Sequence, residues 1–221
     1  MTVAILADIV GSRRQPDRDA LQKQIEEAAA QADRLVPGAT RPWRPTVGDE
    51  LQAVYETLGG ALRATLVLQL AAPDSVECRF GIGYGAVVSV ASSRDELQDG
   101  PGWWAAREAI EHVHSLARRR VRPARTWFQA GIGAPSEITA ITALVNGYLL
   151  ARDHIIGEMN GRARRLTLGR MRGDAQKDLA DAEGISQSAV SQSLSKAGAP
   201  GLMLLLDELT EVEDALLGRD R

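Results

Sequence analysis

Val3-Ala-Ile-Leu-Ala-Asp-Ile-Val-Gly-Ser12 is an apolar run that ends in a small-residue turn, with a single carboxylate, Asp8, set where the run gives out. It is almost wholly apolar rather than alternating, which predicts a central strand covered on both faces. A second carboxylate, Asp49, occupies a like position in Thr46-Val-Gly-Asp-Glu-Leu-Gln-Ala-Val54. Carboxylates at strand ends, beside backbone free to approach a phosphate, suit a Mg²⁺ held through one or two protein oxygens alongside nucleotide phosphates. That chemistry needs Asp8 and Asp49 to converge, and an ion-pair partner on either one would compete with it.

Around these stretches the chain reads as strand, helix and hairpin. Asp17 caps a helix with Leu21, Ile25, Ala28, Ala32 and Leu35 at helical spacing, stopped by Pro37-Gly38. Residues 43 to 47 and 51 to 55 form a hairpin with Asp49 at its tip. Leu58, Leu62, Leu66 and Leu70 mark a second helix, which Pro73-Asp74 breaks. Cys78 to Val90 reads as a strand pair, in which Gly81, Gly83 and Gly85 mean either close approach of backbone to a ligand or tight packing and a bulge. A long helix follows, with Ala105, Ala109, Val113 and Leu116 on one face and Arg118 to Arg120 at its end, and then a last strand over 125 to 128. The order predicts an α+β, ferredoxin-like antiparallel sheet with its helices on one side, spanning residues 1–135.

Beyond Gly133-Ala-Pro135 the pattern becomes all helical. A connector helix is expected over 136–155, then a second domain over 156–221. Gln176 to Ser195 has the spacing of a helix-turn-helix: Ala180 where helices cross, Gly184 at the turn, Val190 facing inward. Ser186 would cap the second helix and leave Gln187, Ser188, Ser191, Gln192 and Ser195 exposed, with Gln176 and Lys177 opening the first. Short polar side chains of this kind reach base edges and phosphates, and Gln pairs with adenine. Residues 156 to 200 hold seven Lys plus Arg against five Asp plus Glu, a local +2, whereas 201 to 221 hold two against six, or −4. Arg162, Arg164, Arg165, Arg170 and Arg172 precede the motif, where phosphate contacts would position it. Leu202, Leu205, Leu209, Val212 and Leu216 form a short seam that fits either packing back on the domain or pairing with a second copy, and a homodimer is expected.

Composition excludes several classes. With 221 residues, 44% hydrophobic, 25% charged and a formal charge of −3, the chain is an ordinary globular protein with no global basic excess. Cys78 stands alone in a strand-like run, so neither an intrachain disulfide nor a cysteine zinc site is available, and a core thiol is expected. Apolar runs are too short for a signal peptide or membrane span, which predicts a cytoplasmic protein. His112, His114 and His154 form no ligand cluster in the sequence, and Trp43, Trp103, Trp104 and Trp127 suit a core or base stacking.

Three segments, in order, resemble the class III adenylate and guanylate cyclase domain. Asp8-Ile-Val-Gly-Ser12 is similar to its Asp-Ile-x-Gly-Phe strand, Val47 to Val54 to its Ile-Gly-Asp hairpin, and Cys78 to Val88 to its Arg-x-Gly-Ile-His-x-Gly strand. The resemblance implies that Asp8 and Asp49 ligate two divalent metals, Mg²⁺ or Mn²⁺, together with the Ile9 carbonyl. It implies further that Ile9, Val10, Gly11, Ser12 and Gly48 approach a purine nucleotide. Arg107, in Trp103-Trp-Ala-Ala-Arg107, matches the family's catalytic arginine, which neutralises phosphate charge. Trp103 stands where that family has Asn, and Pro45 where it has a base-selecting Lys. The whole pattern, with Asp99-Gly-Pro101, resembles the bacterial SatD family more than any true cyclase. The expected function is a DNA-binding regulator whose cyclase-like domain binds nucleotide and divalent metal. The alternatives are an active cyclase or nucleotidyltransferase with a DNA-binding tail, and a scaffold that only dimerises.

Overall fold

A computed structural model describes residues 1–11, 17–46, 49–90, 97–119 and 121–219. Its first elements are β1 (Thr2–Ile9), α1 (Arg18–Leu35), β2 (Ala39–Pro45), β3 (Glu50–Tyr55), α2 (Leu58–Ala71) and β4 (Cys78–Gly85). They form the split βαβ arrangement of a ferredoxin-like unit, with β1 antiparallel to both β3 and β4. Asp17 caps α1 by accepting the Ala20 N–H at 2.9 Å, and Thr57 caps α2 in the same way.

Two expectations about this unit are corrected. The sheet is mixed rather than antiparallel, because β7 (Thr126–Ala130) joins β4 in parallel and completes the order β2-β3-β1-β4-β7. Its helices also cover both faces. Val3, Ile5, Ala7 and Ile9 face α1 and α2, whereas Ala4 and Leu6 pack with Ala106 and Ile110 of α3 (Pro101–Arg119) on the other side. The alternate glycines of β4 explain the second layer. A Cβ on Gly81 would lie 2.1 Å from the Ala106 carbonyl oxygen, and one on Gly83 would lie 2.1 Å from that of Gly102. Three strand positions of one face are therefore bare so that helix backbone can rest on sheet backbone. The expected strand pair over Cys78 to Val90 also divides: β5 (Val88–Val90) leaves the sheet and pairs with β6 (Leu97–Asp99).

The remaining chain is helical and packs behind the sheet. α4 (Ser136–Glu158) covers the edge strand β7, where Asn146 accepts the Phe128 N–H at 2.8 Å and donates to the Phe128 carbonyl at 2.9 Å. A side chain here supplies the pairing that a further strand would give, and so blunts the edge. α5 (Gly161–Met171), α6 (Gln176–Glu183) and α7 (Gln187–Lys196) follow, and α8 (Ala199–Leu216) returns to α2. There the fully buried Glu213 accepts the N–H groups of Leu58 and Gly59, each at 2.8 Å, a carboxylate placed at a helix N-terminus. One apolar cluster continues from the sheet through α4 to Leu202 and Leu206 of α8.

Candidate functional site

Register across three strands builds the site. Asp8 on β1 stands opposite Glu50 on β3 and Arg79 on β4, so the three side chains share the sheet face that carries α3. Asp49 sits half-buried in the turn that leads into β3. The Arg79 guanidinium donates to Asp8 Oδ2 at 3.0 Å, while Asp8 Oδ1 is packed out of solvent and accepts no hydrogen bond. Burial pushes the Asp8 carboxyl above its ordinary value. Arg79 opposes that shift, Asp49 adds to it, His114 opposes it and Glu50 adds to it. Asp8 and Asp49 are thus close enough for one charge to act on the other.

Arg107 projects from α3 onto Glu50 in a two-pronged pair, Nη1 to Oε2 at 2.8 Å and Nη2 to Oε1 at 3.1 Å. Of the expected backbone positions, Ile9 is buried, while Val10 and Gly11 form the half-buried turn after β1, with Gly11 in the left-handed region at φ 73°. Ser12 and Gly48 lie outside the described residues. Arg79, Glu50 and His114 are members of the site that reading the sequence missed.

Beside this row, between the β2-β3 hairpin and the start of α3, runs a groove of about 840 Å³. That is ample for a small ligand. Arg41, Arg44, Arg107, Gln52, Trp103 and Trp104 contribute to its wall, and among the described residues no carboxylate lines it. In a protein of net charge −3 this is a concentrated positive surface. The Trp104 indole donates to Asp99 at 2.7 Å and leaves its ring half exposed, and the buried Trp103 Nε1 has no acceptor.

The donor set was tested against a divalent ion on these facts. Among the described residues no three His, Cys, Asp or Glu side chains converge as a metal cage. Asp8 Oδ1, unsatisfied and beside Asp49, does suit an ion that takes few protein ligands and completes its shell with water and phosphate oxygens, as Mg²⁺ does.

In the helical part, α6 and α7 are joined through Gly184 at φ 64°, with Ala180 and Val190 buried. Ser186 caps α7 by accepting the Ala189 N–H at 3.2 Å. Lys177, Gln187, Ser188, Ser191, Gln192 and Ser195 are exposed and Gln176 is half-buried. Arg165 and Arg162 both reach Glu183, and Arg172 reaches Asp174. The expected α8 seam divides: Leu202 is buried and Leu209 half-buried, while Leu205, Val212 and Leu216 are exposed. Among the described residues no helix is long and apolar enough to cross a membrane.

Fold and site together define a mixed α+β protein with a carboxylate and arginine cluster at one sheet end and a helical bundle behind. The SatD family model matches residues 2–205, and the chain belongs to the SatD family. Among solved structures, a bacterial light-regulated adenylyl cyclase is 15% identical, with 57% of this chain and 74% of that chain covered at a TM-score of 0.40. An adenylate/guanylate cyclase/hydrolase from Silicibacter pomeroyi is 28% identical, with 55% and 82% covered at a TM-score of 0.34. No curated protein matches the chain.

Proposed function

We propose that the protein is a DNA-binding regulator whose sheet binds a nucleotide together with a divalent cation. The observation that carries the reading is Asp8 Oδ1, a carboxylate oxygen that no donor satisfies, set beside Asp49 and next to an arginine groove without acid. Buried polar atoms normally find a partner, and an unsatisfied anionic oxygen invites a cation. The arginines of the groove then suit the phosphates, and Trp104 offers an exposed ring for a base.

The exposed polar face of α7 is the reading surface for DNA, with Gln187 and Gln192 able to pair with adenine. A second copy of the chain, held through the exposed Leu205, Val212 and Leu216 of α8, would present two such helices to two half-sites. α8 is tied to α2 by Glu213, and α2 packs under the sheet that carries the site, so one body connects nucleotide to DNA.

Calorimetric titration with ATP and GTP in Mg²⁺ or Mn²⁺, followed by DNA affinity with and without the nucleotide that binds, tests the proposal. Absence of nucleotide binding, or an unchanged DNA affinity, rejects the sensor role. Arg107 lines the groove, which also favours the enzyme reading. Pyrophosphate release from a triphosphate, lost in an Asp8→Ala, Asp49→Ala variant, would establish turnover.

A further inference from the structure

We infer that the Asp8–Asp49 site takes one divalent cation rather than two, with the Arg79 guanidinium standing where a second would neutralise Asp8; this rests on the nucleotide reading above. Two cations bridged by a carboxylate pair need both oxygens of the shared carboxylates, because each metal must find a negative oxygen on the same side chain. Here Asp8 has only one oxygen to give. Oδ2 is engaged by Arg79 at 3.0 Å, and Oδ1 is the one without a donor.

Arg79 is not a loose surface cation that a metal would brush aside. Its side chain is 12% exposed against 35% for Asp8, and the residue is fixed in the β1–β4 ladder directly across from Asp8. Expelling it would leave a positive charge with little water and no partner, which is more costly than leaving the pair intact. Glu50, the other acid of the row, is likewise held on both oxygens by Arg107. The charge a second metal would supply to a polyphosphate is already present as guanidinium, on Arg79 and on the arginines that line the groove. The cation therefore binds Asp8 Oδ1 and Asp49, and the phosphates meet one metal and several arginines.

The test is paramagnetic resonance of the full chain with Mn²⁺ and a non-hydrolysable ATP analogue, with bound Mn²⁺ counted per chain. The expected result is one Mn²⁺ per chain, with the hyperfine pattern of an isolated ion. An Arg79→Ala variant, shown folded by circular dichroism, takes up a second ion, and Arg79→Lys does not. Two coupled Mn²⁺ ions in the unaltered chain would overturn the inference and leave the nucleotide reading standing. Failure of Arg79→Ala to gain an ion would also overturn it, since the guanidinium would then not be what excludes the metal. If the unaltered chain bound neither Mn²⁺ nor the analogue, the nucleotide reading itself would fall, and the inference with it.

Discussion

Asp8 with Arg79, and Asp153 with Arg152, are both acid–arginine pairs against the same sheet, and they differ in one respect. Asp153 is fully buried and saturated: Oδ2 accepts the N–H groups of Arg125 at 2.7 Å and Thr126 at 2.6 Å, and Oδ1 accepts from Gln69, Thr126 and Arg152. Arg152, also without exposed surface, donates to the Leu62 carbonyl and to the hydroxyls of Thr65 and Thr126. Every lone pair there is used to hold α4, β7 and α2 together. The Asp8 pair, at the open end of β1, leaves one oxygen empty. A saturated ionic centre is a fastener and an unsaturated one is a receptor.

The comparison breaks most visibly at the fastener. Asp153→Ala leaves a buried guanidinium and two backbone N–H groups without their acceptor, and is expected to lose about 3–5 kcal/mol. Urea denaturation measures it; a loss under about 1 kcal/mol would mean that the centre behaves like a surface pair. Gly83→Ala is next. The added methyl would meet the Gly102 carbonyl oxygen at 2.1 Å and the Ala106 N–H at 2.3 Å, both rigid backbone, so overpacking should cost about 3 kcal/mol. Because α3 carries Arg107, the same variant should also weaken nucleotide binding, an effect that Asp153→Ala cannot imitate through local geometry.

Glu213→Gln tests a fastener of intermediate size. An amide presents one acceptor where the carboxylate presents two, so the Leu58 or Gly59 N–H is left buried and unpaired. About 2 kcal/mol is expected in the same denaturation experiment. Arg219, which pairs with Glu213 Oε1 at 3.2 Å, loses its charge partner as well. Were stability unchanged, α8 would not be locked to α2 through this carboxylate.

The receptor was easier to read in the sequence than the fasteners, and the reason is physical. A lone carboxylate at the end of an apolar run is conspicuous because nothing local satisfies it, so Asp8 and Asp49 could be picked out. Arg152, Asp153 and Glu213 lie in amphipathic helices, where charged residues normally face water, and only long-range packing reveals that these are buried. Arg79 and Glu50 depend on strand register, which the chain does not display locally. The third layer was hidden in the glycines at 81, 83 and 85. Their spacing of two puts all three on one sheet face, a signal for close packing on that face, yet each alone reads equally as a weak strand position. Cys78 was legible as a core thiol: it is buried, and burial pushes it up to about 12.

The smallest expected effect isolates the receptor. Burial raises the Asp8 carboxyl above 3.8, so in the metal-free protein the folded state binds more protons than the unfolded chain between 3.8 and the raised value. Stability therefore falls as pH rises across that interval, because ionising Asp8 costs more in the folded state. A cation on Oδ1 reverses the cost. Mn²⁺ at tenfold its dissociation constant should stabilise the protein by about 1.4 kcal/mol, by mass action alone. Asp8→Asn keeps an acceptor for Arg79 but carries no charge, so it should flatten the acid-side decline in the metal-free protein and remove the Mn²⁺ gain. Thermal melts across the acid range, with and without Mn²⁺, read both at once. An Asp8→Asn protein that still gains stability from Mn²⁺ would place the cation elsewhere and make Asp8 a second fastener, erasing the distinction between the two pairs.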